Sequence, residues 1–359
     1  MYLDDATRLR QLVDVSAIDQ ALTTTLGSGF SAGANGNSVS FGALFTQVVT
    51  GQLDVTFSGL LGAVGQLFFS ELLVHVGLMQ QLVFIAVLAA LLKVLSDSFE
   101  TKSVSEMGFY VCYLALVAII FTSFRYALGV TSGMVSQVTH FVQVSIPVVV
   151  SLVLMTGQAA GGMAYNSLFL FGIWAINTWL MPLLLTFITF LVTVQVVNYL
   201  SENELLKNMA SLLESALKRG TKAFAALFLF ILGLQRISAP ILDNLATRGV
   251  RLTVNAVPVV GGALSGAVDS IFYLAQAGKN GVIVAVVIGL IYIGMVPLLK
   301  LFIMTFLYKV VAAVIEPIAD KRIVKCLDTV GNCMGLLLGA ASVVMLMFSF
   351  ALVLLVSFT

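Results

Sequence analysis

Glu71 and His75 stand four residues apart and share one face of any helix that carries them. A carboxylate beside an imidazole can hold and pass a proton; the same pair can also lie along a membrane surface with its charges in water. The amphipathic run 57–76 around them favours the second role. Asn177, Gln195, Lys300 and Lys309 fall within or beside apolar runs, where a polar side chain is a functional candidate by default. Each also lies near the expected end of a run, where it would anchor a helix at the interface. Arg125 is read as the end of a span, its guanidinium snorkelling to water. No nucleophile–base pair, H-E-x-x-H or acid dyad occurs, so no enzyme chemistry is expected. Cys112, Cys326 and Cys333 have neither metal-ligand spacing nor a C-x-x-C and are read as packing residues. The glycine-rich stretch 27–40 lacks the Lys-Ser/Thr of a phosphate loop, and neither nucleotide nor any other cofactor is expected.

The elements that must position these groups are hydrophobic. Of 359 residues, 60% are hydrophobic and 10% charged, against about 25% charged in ordinary soluble domains. Mean hydropathy is +1.07, and several runs approach the length that crosses a bilayer. The chain is therefore read as an all-α, polytopic integral membrane protein. A net charge of +1 gives no global field to steer nucleic acid. The lipid bilayer is the first partner.

Residues 1–56 form a polar N-terminal segment in which a short amphipathic helix carrying Asp14, Ile18 and Asp19 is followed by a flexible linker. Asp4 and Asp5 occupy the place of a signal peptide's apolar core, so the chain is expected to begin after a cleaved signal, with Met1 added. Residues 57–76 read as an interfacial helix, and 77–359 as the multi-span domain. Spans are expected at 77–95, 107–124 and 138–156, with two more from 165–199, split around Trp179 and Pro182. A further span covers 223–234, another lies within 282–315 together with an interfacial or broken segment at Pro297, and the last is 331–358. That makes about seven or eight spans, with broken and interfacial helices between them. The basic segments 93–102, 207–222 and 321–325 should share the cytoplasmic side, leaving the N-terminus outside.

The long connection 239–281 interrupts this pattern. Its centre is small and closed by an acid, and Pro258, Gly261, Gly262, Gly266 and Asp269 are candidates for a pore or docking loop; an interfacial helix pair is the alternative. Gly331, Gly335 and Gly339 repeat at four-residue steps, spacing that lets helices approach closely within or between subunits. Lys321, Arg322, Lys325 and Asp328 form a candidate cytoplasmic docking cluster.

The runs VNAVPVVGGALSGAVDSI, LYKVVAAVIEPIADKRIVKCLDTVG and SDSFETKSVSEMGFYVCYLALVAIIFTSF resemble the stage III sporulation protein AE family. The likeness runs roughly from Ser70 to the end. Its most specific parts are Pro258-Val259-Val260-Gly261 with Asp269, and Lys325-Cys326-Leu327-Asp328. The resemblance implies a protein of the mother-cell membrane that surrounds the forespore, with its N-terminus extracytoplasmic after signal removal. It also implies work with a cytoplasmic secretion-type ATPase, ring-forming proteins and a forespore partner in a channel or feeding tube that sustains late gene expression. The favoured reading is a homo-oligomeric conduit or export-gate platform. The alternative is a self-contained solute permease with a midplane site at helices broken by Pro182 and Pro297.

Overall fold

The computed structural model describes residues 16–26, 40–50, 57–97, 102–156, 159–200, 206–255 and 261–356, with the side chains of residues 235–275 and of several helix ends outside that description. Nine α-helices account for nearly all of these residues. They are α1 (Ser16–Leu26), α2 (Phe41–Thr50), α3 (Phe57–Asp97), α4 (Lys102–Met155), α5 (Ala159–Ala175), α6 (Met181–Leu200), α7 (Lys207–Asn255), α8 (Gly261–Ile315) and α9 (Lys321–Val356), with a π-helical turn, Ile176–Leu180, joining α5 to α6. An all-α polytopic membrane protein is what the chain forms. Five runs among the described residues are long and apolar enough to cross a membrane: Gly65–Leu92, Met107–Met155, Gly162–Leu200, Gln276–Ile315 and Lys321–Leu355.

Several of the expected boundaries between elements are absent among the described residues. Segments 57–76 and 77–95 are one helix, α3. The spans at 107–124 and 138–156 are likewise one helix, α4, whose 54 residues extend about 80 Å against a hydrocarbon core of about 30 Å. No cap or breaker lies between Phe124 and Val138. Their polarity suggested a turn, but a lone Arg125 and two glycines do not stop a helix that is packed on one side.

At Pro182 the expected break is absorbed instead. Proline cannot donate to the carbonyl one turn back, and the wider turn just before it satisfies the backbone differently, with Met181 N–H donating to the Ile176 carbonyl. Pro297 lies inside α8 without ending it. The connection 239–281 is also mostly helical, divided between the end of α7 and the start of α8, with residues 256–260 outside the described part. The expected span at 223–234 falls within α7.

One continuous core joins the helices. The Asp19 carboxylate accepts the Phe41 N–H at 2.5 Å and fastens α1 to α2. Ile18, Leu22, Phe41 and Phe45 are fully buried. Leu22 and Phe141 of α4 both crowd the space beside Gly289 of α8. Fully burying side chains of this size stabilises by about 1.5–3 kcal/mol each, so α1 and α2 are held to the long helices by their apolar faces. Of the N-terminal linker, residues 27–39 lie outside the described part.

Candidate functional site

The turn between α8 and α9 is written in Glu316-Pro317-Ile318-Ala319-Asp320. Pro317 cannot continue α8, and the Ile318 and Ala319 N–H groups close the helix on the Ile315 carbonyl. Asp320 then caps α9: its carboxylate accepts the Arg322 N–H at 2.8 Å. The Arg322 guanidinium lies 4.0 Å from the centre of the Phe109 ring, a cation–π contact that brings the start of α4 to this turn. The Lys309 ammonium donates to Asp328 at 2.8 Å. Beside that pair opens a cavity of ≈ 420 Å³ lined by Lys207, Lys309, Lys325, Glu316 and Asp328 among others. Three helices, α7, α8 and α9, thus bring charged residues together. Of the docking candidates, Lys325 and Asp328 line the cavity, Lys321 is exposed, and Arg322 is half-buried against Phe109.

A buried polar seam fixes that end from below. The Tyr113 hydroxyl donates to the Val196 carbonyl at 2.6 Å and lies 3.5 Å from Cys326 Sγ. Tyr199 and Thr329 share a hydrogen bond of 3.0 Å, and the Cys333 thiol reaches Gln195 at 3.8 Å. Ser123 and Tyr308 pair through their hydroxyls. Because buried polar groups need partners, these bonds set the register of α4, α6, α8 and α9. All three cysteines are buried and unpaired as disulfides. Among the described residues no group of three His, Cys, Asp or Glu converges as metal ligands.

The glycine stripe of α9 is graded. A Cβ on Gly331 would meet the Tyr308 Cβ at 3.2 Å; one on Gly335 would meet Thr305 at 3.6 Å; one on Gly339 would meet nothing within 4 Å. Close approach is therefore made to α8 of the same chain, and only at Gly331. The pore or docking candidates fare differently. Gly261, Gly262, Gly266 and Asp269 stand in the first turns of α8, with their side chains outside the description, and Pro258 lies outside the described residues altogether.

The feature that sequence reading missed is the outward face of α4. Thr122, Arg125, Gly129, Ser132, Gly133, Ser136, Gln137, His140 and Gln143 are all exposed, while Phe124, Ala127, Met134, Val138, Phe141 and Val142 between them are buried. Arg125 does not end a helix; it stands well inside α4. The polar strip extends about 33 Å along the helix, close to the thickness of a hydrocarbon core. On its inner side, Phe141 packs at Gly289 and Met134 at Gly294, both in the run of highest hydropathy among the described residues. Nearer its N-terminus α4 instead presents Met107, Val111 and Leu114 outward.

Between this strip and α6 lies an open groove of ≈ 730 Å³, lined by Arg125, Gly129, Ser132, Thr186, Thr189 and Thr193 with Leu128, Leu185 and Phe190. Thr189 and Thr193 donate to carbonyls one turn back, at 2.7 and 2.9 Å. The groove's surface is mostly apolar, and Arg125 is the charged group that lines it. Asn177, expected to anchor an interface, instead pairs with Thr139 of α4 at 3.2 Å. The strip's three- and four-residue spacing was visible in the sequence. It signalled nothing while α4 was read as two helices.

Glu71 and Lys300, 3.3 Å apart, join α3 to α8. Neither lies at a helix end.

A family model described as stage III sporulation protein AE matches residues 39–359. The stage III sporulation protein AE of Bacillus subtilis (strain 168) is 24% identical over 290 residues, covering 80% of this chain and 73% of that protein. No solved structure matches. With the family model matching most of its length, and its long apolar helices in place, the chain belongs to the stage III sporulation protein AE family.

Proposed function

We propose that this sporulation membrane protein is a non-enzymatic subunit of a channel linking mother cell and forespore, and that it assembles with copies of itself into a conduit or export-gate platform. One observation carries the reading: α4 turns a polar face outward, opposite its packing on a long apolar run of α8. An arginine facing lipid at a helix centre costs about 2.5–3.5 kcal/mol, and each further uncovered polar group adds to that. Water or another subunit removes the cost, and a ring of copies with α4 turned inward supplies the water. The charged end, with Lys207, Lys309 and Lys325, then faces the mother-cell cytoplasm and its secretion-type ATPase. Ring-forming proteins and the forespore partner lie beyond the opposite membrane face.

The test is the mass and symmetry of the purified full chain in detergent, by native mass spectrometry and particle averaging. A closed ring with a central opening is expected. A monomer whose groove binds a small solute would replace this reading with the permease.

A further inference from the structure

We propose that Glu71, His75 and Lys300 form a proton-binding site whose occupancy decides whether α3 is fastened to α8. The Glu71 carboxylate lies 3.3 Å from the Lys300 ammonium, with the two side chains 17% and 29% exposed. His75 follows Glu71 by one turn. Its Nε2 is buried without a hydrogen-bond partner, and its ring stands edge-on to Tyr126 of α4 at 5.7 Å. The charges that act on His75 are Glu71 on its own helix and Lys300 on α8. From α4 the facing group is Tyr126, while the adjacent Arg125 lines the groove toward α6.

An ion pair that merely staples two helices needs no imidazole beside it. A buried nitrogen left without a partner calls for an explanation, and a site that gains a proton supplies one. With His75 neutral, the carboxylate and ammonium cancel and hold α3 on α8. A proton on Nε2 makes His75 a cation. It then repels Lys300 and competes with it for Glu71, which it can reach as an i,i+4 pair along α3. The carboxylate exchanges an inter-helix partner for one on its own helix. Lys300 is released three residues beyond Pro297, where α8 lacks a backbone hydrogen bond and bends most readily. Acidification therefore loosens α3 and frees α8 at its weakest turn. This site does not depend on the chain's lining a conduit.

The test uses the full chain in lipid nanodiscs, with spin labels at Phe69→Cys on α3 and Phe306→Cys on α8. Both positions are exposed, and the native cysteines are buried. Electron–electron distance measurements are made at about pH 8 and about pH 4.5, the first above and the second well below the ordinary histidine range. One narrow distance is expected at the higher pH, and a second, longer population at the lower. His75→Gln should hold the narrow distance at both, and Glu71→Gln should show the longer one at both. The same distribution at both pH values in the parent chain overturns the proposal. So does an undiminished pH response in His75→Gln, or a Glu71→Gln chain that stays docked throughout.

Discussion

Gly331→Leu is expected to lower the stability of the folded chain by about 1–3 kcal/mol, the usual cost of forcing extra carbon into a packed interface. The first added atom already meets the Tyr308 Cβ at 3.2 Å and Lys309 Cγ at 3.5 Å. The Tyr308 Cβ is fixed to the backbone of α8, so the helices themselves must part. Tyr308 also holds Ser123, which carries the displacement into α4. Leucine's better helix propensity, worth about 0.8–1 kcal/mol over glycine, offsets part of the loss. At Gly339 the same propensity acts with nothing within 4 Å, so Gly339→Leu should be neutral or slightly stabilising. Gly335→Leu should fall between the two. Thermal unfolding in one detergent, followed by circular dichroism, ranks the three. Equal losses at all three positions would mean that glycine matters here for something other than its approach to α8.

The second large effect is on assembly and not on folding. Ser132→Leu with Ser136→Leu adds apolar surface to the outward face of α4, where both serines are exposed. If that face met lipid, the double change would be harmless or helpful. If it meets water in a conduit, or a second copy, leucine removes the polar surface on which the contact depends. Membrane insertion and thermal stability should stay within about 0.5 kcal/mol of the parent. Self-association should weaken by roughly tenfold, as about 1.4 kcal/mol produces, and spore yield in a sporulating host should fall. Normal spore yield with both leucines in place would remove the strip from the function.

The class of fold was written plainly in the composition: a chain with few charges and apolar runs of about twenty residues or more suits membrane-spanning helices. The α8–α9 turn was equally legible, because Pro317 and Asp320 are local signals that act on their own backbone. Helix continuity was not. Gly129, Gly133 and Arg125 lower local hydropathy just as a turn does, and only packing against α8 shows that they interrupt nothing. At 261–266 glycine left loop and helix equally open, because it is tolerated in membrane helices.

Pairings distant in sequence were the least accessible. Glu71 was visible beside His75, and Lys300 was visible as an isolated cation, but nothing in the chain's order joins residues on α3 and α8. The same holds for Tyr113 with Val196 and Cys326, which meet only when three helices converge. Arg125 illustrates the general case. Its chemistry was plain from its type, and its role depended on which face of which helix carried it.

In a conduit, α4's outward polar face is turned away from lipid. Spin labels at Ser132 and Ser136, with one at Leu114 as the lipid-facing reference, measure this directly by their relative collision with dissolved oxygen and with a water-soluble nickel complex in reconstituted bilayers. The serine positions are expected to favour nickel and Leu114 to favour oxygen, as water on one face and hydrocarbon on the other require. If the labels at Ser132 and Ser136 favour oxygen as strongly as Leu114 does, the strip faces lipid and the conduit reading is wrong.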